Sequence, residues 1–204
     1  GLSHASLLRE KNRLGLIDVL AGRCDAAAAI QPTRDPRLTV VGVGGGDPEE
    51  WEAYDQAASQ GALGRLVRDH AEGYDHVILD APAGLGPITR ALLAAADAVL
   101  VPLTCRNLAV RSLPALLTRI QQLGQGESGA RLDGILITQR DYRSAREVEV
   151  HEQIRRTLPV AALFRTVIPF DERFEEASMK GLPIAAVVGG ERGAAAYFEL
   201  ATEL

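Results

Sequence analysis

Five short runs of aliphatic and β-branched residues punctuate the chain: residues 37–43 (RLTVVGV), 76–82 (HVILDAP), 98–104 (AVLVPLT), 134–138 (GILIT) and 163–169 (LFRTVIP). Each is almost continuously apolar rather than alternating, the pattern of strands covered on both faces in a parallel sheet. Between and after them, residues 48–70, 87–97, 109–123, 144–158 and 191–204 repeat apolar side chains every three to four positions, which predicts helices. Strand alternating with helix predicts an α/β fold: a doubly wound, mostly parallel sheet with helices on both faces and right-handed crossovers. Residues 1–204 read as a single domain, with one flexible linker at residues 123–134 (LGQGESGARLDG) joining a helix to a strand. In such sheets ligands sit at the carboxyl ends of the strands. The ends that matter are therefore LDAPAGLG, PLTCRN, ITQRDYR and VIPFDERF.

The most glycine-rich turn, residues 42–46 (GVGGG), invites a phosphate-binding reading that its neighbours oppose. A phosphate loop needs a lysine for the β/γ-phosphates and a Ser or Thr for Mg²⁺, in the pattern G-x-x-x-x-G-K-[ST]. The chain has only two lysines, Lys11 and Lys180, and neither follows the turn. Asp47, Pro48, Glu49 and Glu50 follow instead, a good N-cap, a first-turn proline and two acids that favour a helix start and repel a phosphate. This loop is expected to be a structural strand-to-helix turn.

Composition narrows the class. Apolar residues make up 47% and charged residues 24%, with no membrane-length apolar run, as in a water-soluble globular protein. Cys24 and Cys105 form neither a disulfide framework nor a metal-type pair, so a cytoplasmic setting is expected, and no membrane partner. His4, His70, His76 and His151 are scattered and suggest no ligand set. A net charge of −5 argues against a surface that coats nucleic acid indiscriminately, yet Arg140, Arg143, Arg146 and Arg165 leave room for a local basic patch.

The most specific passage is residues 74–104, YDHVILDAPAGLGPITRALLAAADAVLVPLT. An apolar run ends in Asp80 and a Pro/Gly turn, a Walker B arrangement that brings a carboxylate to a strand tip where it can hold a Mg²⁺-bound water. With Tyr74, Asp75, Asp80, Pro82, Gly84, Ala95, Ala96, Asp97, Val99, Leu100 and Pro102 in order, it resembles the ParA/MinD family of deviant-Walker ATPases. GILITQRDYRSAREVEVHEQIRRTL and FRTVIPFDERFEEASMKGLPI resemble that family's later strands and helices, so the likeness runs over nearly the whole chain.

The resemblance implies ATP and Mg²⁺ as cofactors, with Asp80 as catalytic and Mg²⁺-water residue and Pro82 and Gly84 near the γ-phosphate. Gln139, Pro169, Phe170 and Asp171 fall where the family holds the base; Phe170 stands where it has Arg, and Asp171, where it has Asn, reads equally as a helix N-cap. Arg143, Arg146 and Arg165 fall near basic residues that contact DNA non-specifically in partition members, the alternative being a solvated face paired with Glu147, Glu149 and Glu152. Arg143 and Arg165 are expected on one face. Implied partners are a second copy in a homodimer, non-specific DNA and a protein that stimulates turnover, with the protein nucleoid-associated. The family opens on a strand, K-G-G-x-G-K-[ST], a helix and a second strand, and none of this occurs in the 204 residues. The chain therefore reads as the larger, C-terminal part of a ParA-like ATPase domain whose missing strand lies upstream or is supplied otherwise. A parent ATPase is expected, with the chain alone inactive. The alternative is a degenerate ParA-like binding or adaptor module without hydrolysis.

Overall fold

A computed structural model describes residues 14–82, 84, 86–124 and 130–204. They form two compact units, the first running to Asp97 and including Ala130, the second holding the rest from Ala98 onward. Residues 125–129 of the expected linker, Ala83 and Lys11 lie outside the described residues.

The second unit is built on a parallel three-stranded sheet in the order β3-β4-β5, formed by β3 (Ala98–Thr104), β4 (Arg131–Arg140) and β5 (Leu163–Pro169). Their register runs from Ala98 opposite Arg131 to Thr104 opposite Thr138, and from Ile135 opposite Leu163 to Arg140 opposite Pro169. The central strand explains the lack of polar alternation noted above, because both of its faces are covered. Ile135 and Ile137 point to one face and pack with Leu113 and Ile120 of α6 (Asn107–Gly124) and Val150 and Ile154 of α7 (Ala145–Thr157). Leu136 points to the other and packs with Phe164, Ile168, and Ala196 and Leu200 of α9 (Glu191–Glu203). Gly134 admits the Phe164 ring: a Cβ there would meet Cε2 at 2.9 Å.

The outer edge of β5 is closed by a side chain. Glu203, in the last turn of α9, accepts from the backbone N–H of Arg165 (2.6 Å) and Thr166 (3.0 Å) and from the Thr166 hydroxyl (2.8 Å). Open strand edges invite strand addition, and the half-buried Glu203 carboxylate occupies these amides instead.

The first unit gathers α1 (Leu16–Leu20), α3 (Pro48–Ser59), α4 (Ala62–His70) and α5 (Pro87–Ala95) around Ile17, Tyr54, Ala58 and Leu63. The helix expected over 48–70 breaks at Gly61, whose φ of +84° suits glycine and starts α4 in a new direction. A short α2 (Ala26–Ala29) leads to a two-residue antiparallel pair, β1 (Gln31–Pro32) with β2 (Thr39–Val40).

Here the structure corrects two expected strands. Only Thr39–Val40 of residues 37–43 pairs, and antiparallel; residues 76–82 carry no regular structure and join no sheet, with Ile78 91% exposed. An apolar sequence is ready for a strand, but a strand exists only when a neighbour takes its N–H and C=O groups. None of the described residues supplies one. Between these two segments lies a cavity of about 730 Å³, lined by Val40, Val41, Val43, Val77, Ile78 and Leu79 among others.

Candidate functional site

The expected site residues fall into two groups, one in each unit. In the first unit, Asp80 stands at the end of the apolar run 76–80 and lines the cavity. Its exposed carboxylate has no hydrogen-bond or ion-pair partner among the described residues. The Pro82 carbonyl accepts from the Thr89 hydroxyl at 3.1 Å, tying the turn to the first turn of α5. Gly84 has a φ of +88°, and none of the described residues lies within 4 Å of where its Cβ would stand, which leaves its backbone open to a ligand. A free carboxylate beside an accessible glycine turn fits one Mg²⁺-bound water, because Mg²⁺ takes one or two carboxylates and draws its other ligands from waters and substrate phosphates. No group of three His, Cys, Asp or Glu among the described residues could hold a metal without such phosphates.

The glycine turn at 42–46 is structural, as its neighbours imply. The Asp47 carboxylate accepts from Glu50 N–H at 2.9 Å and the Glu50 carboxylate accepts from Asp47 N–H at 3.0 Å, a capping box that starts α3. Leu16 and Ile17 donate to the carbonyls of Gly42 and Val43, and a Cβ on Gly15 would lie 2.3 Å from Gly44 N. The glycines serve the close approach of two backbones.

In the second unit the carboxyl ends of β4 and β5 meet in a pocket of about 390 Å³ lined by Arg140, Asp141, Tyr142, Arg143, Phe170, Asp171, Glu172, Arg173 and Arg192. Gln139 carries the bend that opens it, the one non-glycine with positive φ (+53°) among the described residues. Beyond it Arg140 is only 2% exposed. Its guanidinium donates to the Asp141 carbonyl and to His151 Nδ1 (3.4 Å) and lies 3.9 Å from the Glu147 carboxylate. Burial, with Arg155 and Arg140 beside it, holds the His151 imidazole below its ordinary value. Arg143 donates to Asp141 at 3.0 Å, and this side-chain hydrogen bond, with that from the Arg143 backbone N–H, holds the Asp141 carboxyl low. Phe170 N–H donates to the Arg140 carbonyl, leaving the ring exposed, while Asp171 accepts from Arg173 N–H at 2.9 Å ahead of α8 (Arg173–Lys180). Asp171 thus closes an Asx-type turn one residue before the N-cap position of α8, which Glu172 occupies without a side-chain cap bond.

The expected grouping of Arg143 with Arg165 is corrected. Arg165 lies four residues before Pro169, about 13 Å along the strand, and its guanidinium faces Glu203 at 3.6 Å. Arg146 is exposed on the first turn of α7. The arginines that share the pocket with Arg143 are Arg140, Arg173 and Arg192. Sequence reasoning passed over Arg173, Arg192 and Tyr142, although two of them lie in the strand-end segments ITQRDYR and VIPFDERF.

Comparison with known proteins places these features among relatives. The AAA domain family matches residues 6–130. The chromosome-partitioning ATPase Soj of Thermus thermophilus is 38% identical over 149 residues, covering 72% of this chain; the chain spans 59% of that protein's length. Among solved structures, the cell division ATPase MinD of Pyrococcus furiosus superposes with a TM-score of 0.76 at 21% identity over 98% of this chain and 78% of its own. The septum site-determining protein MinD of Pyrococcus horikoshii, complexed with Mg-ADP, does so with a TM-score of 0.72 at 19% identity over 99% of this chain and 77% of its own.

Proposed function

The chain belongs to the ParA/MinD family of P-loop ATPases, and from that premise we propose that it is part of a DNA-partition or intracellular-positioning ATPase in which ATP binding and hydrolysis drive dimerisation. The observation that carries the reading is the unpartnered Asp80 carboxylate beside the open Gly84 turn. Asp80 would hold a Mg²⁺-bound water, and the Gly84 backbone would face the γ-phosphate. Pro82 sets the turn, and Gln139, Pro169, Phe170 and Asp171 are the candidates for the base. None of the 204 residues forms the family's lysine- and Ser/Thr-bearing phosphate loop. Residues 76–82, which join no sheet among the described residues, are an edge to which a further strand would add.

For non-specific DNA the reading takes Arg143, with Arg173 beside it and Arg146 on the adjoining helix turn, as phosphate contacts. A membrane role finds no support in the helices, since none of those described is long and apolar enough to cross one. The proposed setting is cytoplasmic and nucleoid-associated, with a homodimer and a stimulating protein as partners. Calorimetric titration separates the parts of the reading. The 204 residues alone should bind a non-hydrolysable Mg-ATP analogue weakly, because loop N–H groups and lysines supply most phosphate affinity and a lone carboxylate repels it. Micromolar Mg²⁺-dependent binding by this chain alone would place the phosphate site elsewhere.

A further inference from the structure

Asp80 has no side-chain partner among the described residues, and the backbone that carries it is tied down at one point. The Thr89 hydroxyl donates to the Pro82 carbonyl at 3.1 Å. Among the described residues, it is the one hydrogen bond that reaches residues 75–82. Thr89 is only 7% exposed and is the third residue of α5, two positions after Pro87. A helical Thr hydroxyl ordinarily turns back to a carbonyl three or four residues earlier. This one reaches seven residues back, beyond the start of its own helix. The helix is itself well held, because Ile88 and Leu92 of α5 pack against the core of Ile17, Tyr54, Ala58 and Leu63.

Stiff backbone carries that anchor to the carboxylate. The Pro82 ring fixes its own φ and confines Ala81 before it to extended conformations. Few torsions are therefore left to vary between the anchored carbonyl and Asp80. We propose that Thr89 is the positioning residue for Asp80, aiming its carboxylate through the Pro82 carbonyl. The proposal rests on the ATPase reading above and adds to it a buried residue that touches neither nucleotide nor metal. Pro82 is exposed, so water can satisfy its carbonyl once the hydroxyl is gone. The bond thus contributes little to stability and much to where Asp80 points.

The test uses the protein carrying its complete reading frame. Thr89→Val keeps the side-chain volume and removes the hydroxyl, whereas Thr89→Ser keeps the hydroxyl. In steady-state phosphate release, Thr89→Val should lower kcat about tenfold and leave KM for Mg-ATP within about twofold, and Thr89→Ser should recover kcat to within about threefold. Hydrogen exchange without nucleotide gives a second readout. The Asp80 and Ala81 amides should exchange about three- to tenfold faster in Thr89→Val and at the wild-type rate in Thr89→Ser. In an Asp80→Asn background, Thr89→Val should cost less than about twofold more, because Thr89 acts through that carboxylate. Thr89→Ala repeats the hydroxyl removal if the valine variant melts early by circular dichroism. Wild-type kcat without the hydroxyl, unchanged exchange, losses that multiply in the double variant, or no recovery in Thr89→Ser each overturns this inference and leaves the ATPase reading in place. Absence of Mg²⁺-dependent turnover in wild type overturns both.

Discussion

Removing Glu203 should destabilise the second unit by far more than a surface carboxylate deserves. Its carboxylate receives three hydrogen bonds from β5, at 2.6, 3.0 and 2.8 Å, and Thr166 is only 7% exposed. Hydrogen bonds to a charged acceptor contribute about 1.5–3 kcal/mol each, and a buried donor left unmet costs about 1–3 kcal/mol. Water can reach the Arg165 amide and recover part of its share, so the two Thr166 donors dominate. Glu203→Ala should therefore cost about 2–4 kcal/mol, and Glu203→Gln, which keeps one acceptor oxygen, about 1–2 kcal/mol. Burial works to raise the Glu203 carboxyl, but the donations from Arg165 and Thr166 outweigh it and hold it below its ordinary 4.5. A depressed carboxylate contributes stability that is complete above the unfolded value and disappears as pH falls through the folded one. Urea denaturation followed by circular dichroism between pH 3 and pH 7 reads both effects. The gap between wild type and Glu203→Gln should stay constant above about pH 5 and close below 4.5. An alanine variant within about 0.5 kcal/mol of wild type at pH 7, or a gap that widens with acid, would refute the edge-closing role.

Three shorter predictions follow from neighbouring features. Gly134→Ala places a methyl 2.9 Å from the Phe164 ring and should cost about 1–3 kcal/mol of stability by the same assay. Burial raises the Cys105 thiol while Cys24 is partly exposed, so native labelling at pH 8 with a thiol reagent should modify Cys24 and spare Cys105 until urea is added. Arg143→Glu should weaken binding to every duplex alike, whereas Arg165→Glu, which sets a carboxylate against Glu203, should lower the melting temperature and leave duplex affinity near wild type.

How far the chain could be read without its structure depended on where each property is stored. β3, β4 and β5 were legible because burial on both faces is written in the strand itself, as in Ile135, Leu136 and Ile137. Residues 76–82 are just as apolar, yet they join no sheet, since pairing belongs to the partner strand and no side-chain pattern records whether one is present. The Asp47–Glu50 capping box was readable because it spans four consecutive residues. Asp80 and Gly84 stand out in the sequence because their ordered motif lies within one short stretch. The pocket joining Arg143, Arg173 and Arg192 was not readable, because the register of β4 on β5 and the placement of α9 bring those residues together across 49 positions. The only local sign was a cation in the first turn of a helix. Arg165 was grouped with Arg143 on strand adjacency alone, which ignores that a strand has two ends.

Asp80 is the central residue of the proposed ATPase. Steady-state phosphate release by the protein carrying its complete reading frame, measured with and without Mg²⁺ for wild type and Asp80→Asn, tests it most directly. Mg²⁺-dependent ATP turnover that falls at least about a hundredfold in Asp80→Asn is the predicted result, because loss of a preorganised charge contact at the reacting phosphate costs several kcal/mol. Turnover unaffected by the substitution, or no Mg²⁺-dependent turnover in wild type, would contradict the ATPase assignment and leave a ParA-like binding module.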